Sequence, residues 1–494
     1  MENLIIALGQ FATVPVLIAI VIGALWGTVA GVLPGMGTVA ALIVALPFTF
    51  SLSMETSIGL FLAIYVTSVY GGSVSAILIN TPGTPQSAAT VLDGYPMAKQ
   101  GKADLALGWA TLASLIGGMF SLVILIIAAP ALAKVAIAFG PAAVFAIVLF
   151  ALTCIAWVSR GSTVKGLLAG IIGLFLTTIG SDDLTGATRF AFGTDLLAGG
   201  LALIPVLIGL FAMTEVFFRA ATYHEEKPPD VTNVGFRLPA LQEVVLRWKQ
   251  FLQSCSIGTF IGILPGTGAT AATFIAYSEL RRTSPRAENF GNGEPDGLIA
   301  SEASNNAVTG GALIPTLALG IPGDGGTVVL LGVLTIQGLV PGFDLVKNTP
   351  HILTGAFALI FVANLLMFAI GAYGARIFAR ILATPEPLLM GMVLLFSLVG
   401  AFVVRGNPVD ILVAIGAGLI GLALRFAKYP LAPIVIGMAL GKTFEEKLRQ
   451  GLVSAEGDII EFLSDPIAIG VFGLTALVVI LPTVMRRRRE QEEG

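Results

Sequence analysis

Charged residues are missing from long stretches of this chain. Residues 3–54, 56–92, 105–133 and 135–159 contain no Asp, Glu, Lys or Arg, and the same holds for 196–214, 250–278, 303–323, 348–375, 387–404 and 466–485. A helix that crosses a bilayer needs about 20 apolar residues, so about ten to fourteen passes are predicted. A membrane β-barrel would instead alternate apolar and polar residues. The pattern indicates an all-α polytopic membrane protein.

Composition agrees with a membrane protein and argues against other classes. Hydrophobic residues make up 56% of the 494 residues and charged residues 12%, with a mean hydropathy of +0.92, whereas a soluble domain carries about 25% charged residues. The net charge is −3 and no basic stripe is present, so we expect no nucleic-acid partner. Cys154 and Cys255 stand in apolar surroundings, which predicts inert core thiols rather than a disulfide.

Two polar segments, residues 219–249 and 281–296, interrupt the apolar pattern. The first contains Pro228-Pro229 and mixed charges, and it divides the chain into halves. We therefore predict four regions: a first membrane repeat at 1–218, a cytoplasmic linker at 219–249, a second membrane repeat at 250–464, and a last transmembrane helix with a basic cytoplasmic tail at 465–494.

The two halves contain an internal repeat. The segment GTVAGVLPGMGTVAA at Gly27–Ala41 matches GTFIGILPGTGATAA at Gly258–Ala272 at nine of fifteen positions, with an offset of 231 residues. Further along, Tyr70–Thr84 aligns with Gly310–Asp324 at an offset of 240, pairing Pro82-Gly83 with Pro322-Gly323. Repeats of this kind are typical of secondary transporters, which bind substrate where discontinuous helices of the two halves meet.

The placement of Lys and Arg predicts the orientation, because cytoplasmic loops carry an excess of both. Arg486–Arg489 put the carboxyl terminus in the cytoplasm, and the segment before Thr13 has no Lys or Arg and is expected outside. The linker at 219–249 holds five Lys and Arg, which favours the cytoplasm. The two repeats are therefore predicted to be inverted. A segment from Lys442 to Asp465 is then placed in an outside loop in spite of its basic residues.

Two Pro-Gly-x-Gly segments are candidate substrate-binding breaks. Pro lacks an N–H and Gly lacks a Cβ, so both segments should interrupt a helix near the midplane and leave peptide groups unpaired. The free N–H groups of a half-helix suit a carboxylate, and nearby Thr side chains would add hydroxyls. The alternative is a kink or a close helix contact. The candidate residues are Pro34, Gly35, Met36, Gly37, Thr38, Pro265, Gly266, Thr267, Gly268 and Thr270.

A second pair of breaks follows about 50 residues after each of these. Asn80, Thr81, Pro82, Gly83 and Thr84 are candidates for the substrate site. Backbone carbonyls and side-chain oxygens there could bind a hard cation such as Na⁺, so Thr81, Thr309, Pro322, Gly323 and Asp324 are cation-site candidates. The alternative is an ordinary turn at the membrane surface. Asp324 is included because an ionisable group within a span is a functional candidate, although a loop carboxylate in water remains the alternative.

Glu302, Asn305 and Asn306 lie on one face of a predicted helix. Asn305 and Asn306 are candidates to line the substrate cavity, and the alternative is an amino-terminal turn in headgroup water.

No GxSxG, HExxH or Walker A motif is present, so no enzymatic activity and no organic cofactor are expected. His224 and His351 are expected to be solvated. Without a nucleotide site, energy would come from a gradient of Na⁺ or H⁺ or from another subunit.

Three features together resemble the large membrane subunit of the tripartite tricarboxylate transporters: the doubled PGxG, NTPGTPQSAATVLDGYPMAKQG at Asn80–Gly101 and GEPDGLIASEASNNAVTGG at Gly293–Gly311. The resemblance implies a bacterial inner-membrane transporter of about 12 spans. It also implies a small membrane subunit of about four helices, a periplasmic solute-binding protein, and import of carboxylates such as citrate with Na⁺ or H⁺. Its substrate residues would correspond to Pro34, Gly35, Gly37, Pro265, Gly266 and Gly268.

The sequence thus predicts about 12 transmembrane helices in two inverted repeats, with broken helices or re-entrant hairpins at the midplane. We expect a translocating subunit that receives a di- or tricarboxylate and moves it inward by alternating access, with an elevator-like shift of the core against a scaffold. The alternatives are a membrane assembly subunit without its own transport site and a carboxylate channel. Whether the chain forms a homo-oligomer is left open.

Overall fold

The computed structural model describes residues 2–136, 138–158, 163–182, 185–222, 235–266, 268–382 and 386–477. Within them, six helices are long and apolar enough to cross a membrane: Val14–Val32, Met54–Ile79, Val91–Ala136, Leu203–Ala221, Pro350–Phe378 and Pro408–Phe426. Shorter apolar helices lie at Gly37–Phe50, Pro141–Cys154, Val164–Thr177, Gly325–Ile336, Pro387–Val403 and Pro466–Leu477. The chain is an all-α multi-pass membrane protein.

The first half contains eleven helices in its described residues. They are α1 (Glu2–Phe11), α2 (Val14–Val32), α3 (Gly37–Ala45), α4 (Met54–Ile79), α5 (Val91–Met97), α6 (Ala103–Ala136), α7 (Pro141–Val158), α8 (Thr163–Thr177), α9 (Asp195–Ala198), α10 (Leu203–Leu207) and α11 (Thr214–Ala221). A 3-10 turn at Leu46–Phe50 extends α3, and another occupies Pro85–Ala88. π-helical turns join α5 to α6 at Ala98–Lys102 and α10 to α11 at Ile208–Met213. Two short strands, β1 (Gly180–Ser181) and β2 (Thr188–Arg189), pair antiparallel.

The second half has a similar order of helices. They are α12 (Leu241–Leu246), α13 (Trp248–Ile263), α14 (Gly268–Thr283), α15 (Pro295–Leu319), α16 (Gly325–Ile336), α17 (Phe343–Asn348), α18 (Pro350–Ile381), α19 (Glu386–Val403), α20 (Pro408–Phe426), α21 (Ala432–Ser454), α22 (Ile459–Leu463) and α23 (Pro466–Leu477). A 3-10 turn at Ala287–Asn289 precedes α15.

The helices pack as two groups. One group, which we call the repeat body, comprises α2–α6 and α13–α18: α2 packs along α4, α13 along α15, α6 along α15, and α18 along α4. The other, the flanking body, comprises α7–α11 and α19–α23: α21 packs along α7 and α8, and α20 packs along the π-helical turn and α11. Each half of the chain thus contributes to both groups.

Glycines allow the same close helix crossing in each half. A Cβ on Gly71 of α4 would lie 2.4 Å from the Thr28 carbonyl oxygen and 2.9 Å from Gly31 Cα of α2. A Cβ on Gly311 of α15 would lie 2.5 Å from the Thr259 carbonyl oxygen and 3.1 Å from the Gly262 Cα of α13. The offsets of 231 and 240 residues found in the sequence therefore relate equivalent contacts in space.

A buried carboxylate fastens the two halves together. Asp93 is 1% exposed, and its Oδ1 accepts hydrogen bonds from the backbone N–H groups of Gly291, Gly293 and Glu294 at 2.8–2.9 Å. Its Oδ2 accepts one from the Tyr277 hydroxyl at 2.8 Å. Four donors from the second half stabilise this negative charge, as burial of a carboxylate requires.

The segment around Lys442 is helical. Lys442, Lys447 and Arg449 lie in α21, and Arg449 forms ion pairs with Asp182 at 2.8 Å and with Glu445 at 2.6 Å. A short helix, α22, follows before Asp465. Most of the segment Lys442–Asp465 is therefore helix rather than the expected loop. Its charged side chains pair with one another and with the β1–β2 hairpin. The basic tail at Arg486–Arg489, like His224, lies outside the described residues.

Candidate functional site

Both PGxG segments break their helices in the same way. The helix α2 ends at Val32, Leu33 is extended (φ −75°, ψ 117°), and Gly35 has φ +84° before α3 begins at Gly37. In the second half Leu264 is extended (φ −77°, ψ 114°), Gly266 has φ +74°, and α14 begins at Gly268. Glycine tolerates this left-handed region because it lacks a Cβ. Each segment is thus a turn between two helices.

The second pair of breaks also shares one design. The residues that end α4 and α15, Asn80 and Gly320, are both left-handed, with φ values of 58° and 70°. Four residues later, Thr84 caps the 3-10 turn at Pro85–Ala88, and Asp324 caps α16 by accepting the Thr327 N–H at 2.8 Å. Each cap forms a capping box with the residue three positions on.

A cavity of about 310 Å³ lies where these breaks converge. Its wall includes the first turns of α3, α14 and α16, together with Pro85 and Gln86. The N–H groups of a first helical turn have no intrahelical partner and carry partial positive charge. The lining residues are Gly35, Met36, Gly37, Thr38, Val39, Ala40, Val69, Pro85, Gln86, Phe211, Glu215, Ala269, Thr270, Asn305, Val308, Thr309, Asp324, Gly325, Gly326 and Ala432.

Hydrogen bonds hold the cavity wall, and two of them join the two halves. The Gln86 side chain donates to the Thr38 hydroxyl at 3.3 Å, and the Gln86 carbonyl accepts from the Thr273 hydroxyl of α14 at 3.1 Å. The Tyr65 hydroxyl of α4 donates to Asp324 Oδ2 at 2.8 Å. Because the bonds of Thr273 to Gln86 and of Tyr65 to Asp324 join the two halves, the site depends on both halves being assembled.

Asn305 offers an unused acceptor to the cavity. Its side chain is fully buried and lines the wall, and its Nδ2 donates weakly to the Val69 carbonyl at 3.5 Å. Its Oδ1 has no hydrogen-bond partner among the described residues. A buried acceptor without a partner costs about 1–3 kcal/mol. Such an oxygen suits a cation or a hydrogen-bond donor on a bound molecule.

Charged side chains of the flanking body lie at one edge of the cavity. Glu215 of α11 lines it, accepts a hydrogen bond from Arg219 Nε at 2.7 Å, and pairs through its other oxygen with Arg425 of α20. The Arg219 guanidinium lies against Gly35, since a Cβ there would be 1.8 Å from Nη2. Two guanidinium groups therefore share one carboxylate beside a PGxG turn.

The structure brings together some of the residues predicted from sequence. Eight line the cavity: Gly35, Met36, Gly37, Thr38, Thr270, Asn305, Thr309 and Asp324. Others lie outside its wall: Pro34, Pro265, Gly266, Gly268, Asn80, Thr81, Pro82, Gly83, Thr84, Asn306, Pro322 and Gly323. Thr267 lies outside the described residues.

Several residues outside the wall have identifiable contacts instead. Thr81 is exposed, and its hydroxyl donates to the Ile79 carbonyl at 3.3 Å. The Gly323 carbonyl accepts the Gly266 N–H at 2.7 Å, which joins the two breaks of the second half. The Asn306 side chain donates to Met367 Sδ at 3.2 Å, facing α18 rather than the cavity.

Sequence reasoning missed Gln86, Glu215 and Arg219. Gln86 stands inside the Asn80–Gly101 stretch, two residues after the second break, and that position was the available signal. Glu215 and Arg219 are spaced i, i+4 on one helix face, a pattern that indicates an ion pair but no site. No group of three or more His, Cys, Asp and Glu that could hold a metal occurs in the described part of the chain.

Comparison with known proteins identifies the family of the chain. Residues 17–436 match the model of the tripartite tricarboxylate transporter TctA family. The chain belongs to the TctA family. Two Agrobacterium vitis proteins are similar to it. An uncharacterized 52.8 kDa protein in the TAR-I ttuC' 3'region is 34% identical over 473 residues, 95% of this chain and 94% of the relative.

The second relative, an uncharacterized protein in the TAR-II ttuC' 3'region, is 31% identical over 236 residues, 47% of this chain and 98% of the relative. No solved structure matches the chain. The TctA family is a transporter family, and it belongs to tripartite systems with a small membrane subunit and a periplasmic binding protein. The family match covers both PGxG segments and all the lining residues of the cavity.

Proposed function

We propose that this chain is the translocating subunit of a secondary transporter that imports a di- or tricarboxylate. The observation that carries the proposal is the 310 Å³ cavity, which is lined by three helix amino termini and by Glu215, whose carboxylate pairs with Arg219 and Arg425. Its volume lies at the lower end of the range of about 300–1,000 Å³ found for small-molecule sites. A small organic acid is the ligand class that matches its size and the partial positive charge of its helix amino termini.

The cavity offers distinct partners to the carboxylates of such a substrate. The first turns of α3 and α14 both line the cavity, where their N–H groups have no intrahelical partner, and Thr38 and Thr270 add hydroxyls. Arg219 supplies a guanidinium beside Gly35, and Glu215 neutralises it while the site is empty. A substrate carboxylate would replace Glu215 as the partner of Arg219.

A coupling cation would bind on the opposite side of the same cavity. Asp324, Thr309 and the unpaired Asn305 Oδ1 supply oxygen atoms there, which are the ligands that a hard cation such as Na⁺ takes. Transport would be Na⁺- or H⁺-driven symport, with Na⁺ or H⁺ acting as the coupling ion rather than as a cofactor.

We place the chain in the bacterial inner membrane with its carboxyl terminus in the cytoplasm and with two inverted repeats of about six spans each. The repeat body would move as a core against the flanking body in an elevator-like step. A periplasmic solute-binding protein would deliver the acid, and a small membrane subunit would pack against the apolar exterior.

Reconstitution tests the proposal. The chain, its small subunit and its binding protein are placed in proteoliposomes, and uptake of a labelled carboxylate panel including citrate is measured with and without an inward Na⁺ gradient. We expect saturable uptake that requires all three parts and stops when the ion gradients are collapsed. Non-saturable flux without a gradient would instead indicate a channel. Absence of uptake of every acid, under both Na⁺ and proton gradients, would favour an assembly subunit.

A further inference from the structure

A carboxyl group lies buried in the repeat body, outside the wall of the substrate cavity. Glu302, in the middle of α15, has no exposed surface. The Thr90 hydroxyl donates to its Oε1, and the Ser114 hydroxyl of α6 donates to its Oε2 at 3.0 Å. The Ser73 hydroxyl of α4 faces the same carboxyl but makes no hydrogen bond of normal geometry. Three hydroxyls from the first half thus surround an acid of the second.

Within the described residues, no Lys, Arg or His forms an ion pair with Glu302. An ionised carboxylate buried without a cation is strongly disfavoured, and neutral hydroxyls offset only part of that cost. Tyr70 on α4, Asp93 on α5 and Tyr277 on α14 are acids rather than cations. The charged groups of the other packed helices lie near helix ends: Asp104, Lys134, Lys249, Arg281, Arg282 and Lys347.

The hydrogen bonds around Glu302 favour a bound proton over a bound metal ion. The Thr90 and Ser114 hydroxyls are hydrogen-bonded to the two carboxyl oxygens, so a cation bound here would require both hydroxyls to turn their hydrogens away and give up these bonds. A protonated carboxyl would instead donate to the Ser73 oxygen, which otherwise has no partner. Protonation therefore satisfies both buried groups at once.

This acid is joined to the cavity on two sides. Asn305, which lines the cavity, lies one turn further along α15 on the same helix face. Thr90, which donates to Glu302, follows Gln86 by four residues in the segment that forms another part of the wall. Gain or loss of the proton would change the hydrogen bond to Thr90 and the charge beside Asn305.

We propose that Glu302, with Ser73, Thr90 and Ser114, forms a proton-binding site that couples proton movement to substrate binding in the adjacent cavity. The carboxylate takes a proton from water on one side of the membrane and releases it on the other, with no change in electrons. The proton site itself stands on the structure, and its role in transport rests on the proposed function.

Infrared difference spectroscopy on the purified full-length chain tests the site without any substrate. A change of pH should show a protonated carboxyl band from a buried acid in the wild type, and Glu302→Gln should remove that band. Glu55→Gln, the same substitution at the start of α4 and away from the hydroxyls, should leave it in place. Ser114→Ala should keep the band but shift its frequency, since one hydrogen bond to the carbonyl is lost.

Two outcomes would overturn the assignment. A carboxyl band that persists in Glu302→Gln would show that another acid holds the proton. Loss of the band on addition of Na⁺ to the wild type, with Na⁺-dependent thermal stabilisation that vanishes in Glu302→Gln, would make this a Na⁺ site. If Glu302→Gln does not fold, the frequency shift in Ser114→Ala decides alone. Because neither readout uses transport, failure here and failure of the uptake experiment are distinguishable.

Discussion

At the scale of single residues, Gly35 meets a backbone requirement and a steric requirement at one position. Its φ of +84° lies in the left-handed region, and its missing Cβ leaves room for the Arg219 guanidinium. Gly37 is also left-handed, with φ +62°, but a Cβ there would meet nothing within 4 Å. A side chain at Gly37 would therefore cause backbone strain alone, whereas a side chain at Gly35 would cause backbone strain and a steric clash with Arg219.

We expect Gly35→Ala to reduce stability more than Gly37→Ala does. Both substitutions place a side chain in the left-handed region, which costs about 1–2 kcal/mol, but only the first displaces Arg219 from Glu215. Thermal unfolding in detergent measures the difference. In an Arg219→Ala background the two alanine variants should become equally stable, and a difference that persists there would show that Arg219 is not its cause.

Arg219 should matter for affinity toward multiply charged acids. Loss of a hydrogen bond to a charged group costs about 1.5–3 kcal/mol, so Arg219→Gln should raise the KM for a transported tricarboxylate roughly tenfold or more. Arg282→Gln is the matched control, because Arg282 is exposed and pairs with Glu279 at the far end of α14. An unchanged KM in well-expressed Arg219→Gln would remove this side chain from the substrate site.

At the scale of elements, the helix breaks follow from short segments with strong local chemistry. The breaks at Leu33–Gly37 and Leu264–Gly268 could be predicted because Pro and Gly act on the backbone within a few residues. The positions of Gln86 and Glu215 could not, because each reaches the cavity only through packing between segments far apart in sequence. Asn306 shows the converse. It follows Asn305 directly in α15, but its side chain points away from the cavity.

The glycine crossings predict which helix substitutions the fold will not tolerate. Gly71→Ala would put a Cβ 2.4 Å from the Thr28 carbonyl oxygen and force α2 away from α4. Overpacking of this kind typically costs about 1–3 kcal/mol. Gly416→Ala in α20, where a Cβ meets nothing within 4 Å, is the control and should leave the unfolding temperature unchanged or slightly raised. Equal unfolding temperatures for both variants would contradict the tight crossing.

At the scale of the whole molecule, the contacts between the repeat body and the flanking body are narrow compared with those inside each. They include α3 against the π-helical turn at Ile208–Met213 and α16 against α10 and α21. The charged cluster of Glu215, Arg219 and Arg425 belongs to the flanking body, whereas Gly35 belongs to the repeat body. A shift of one body against the other would therefore remake the contact at Gly35.

A cross-link between the bodies should stop transport. A Cβ on Gly332 of α16 would lie 3.6 Å from Ile204 Cδ1 of α10, so cysteines at these two positions can be bridged by Hg²⁺. We expect uptake to fall to background on addition of Hg²⁺ and to return with a thiol. The two single-cysteine variants control for direct effects on the native thiols. Full uptake by the bridged protein would rule out relative movement at this contact.

The hydrogen bonds of Asp93 also constrain the order in which the chain can fold during synthesis. Its backbone donors lie 198 to 201 residues further along the chain, so they do not yet exist when the first half leaves the ribosome. Until then the carboxylate lacks these partners and depends on water instead. The surroundings of Asp93 are therefore complete only after residues 277–294 have been synthesised, so the first half cannot reach its final packing alone.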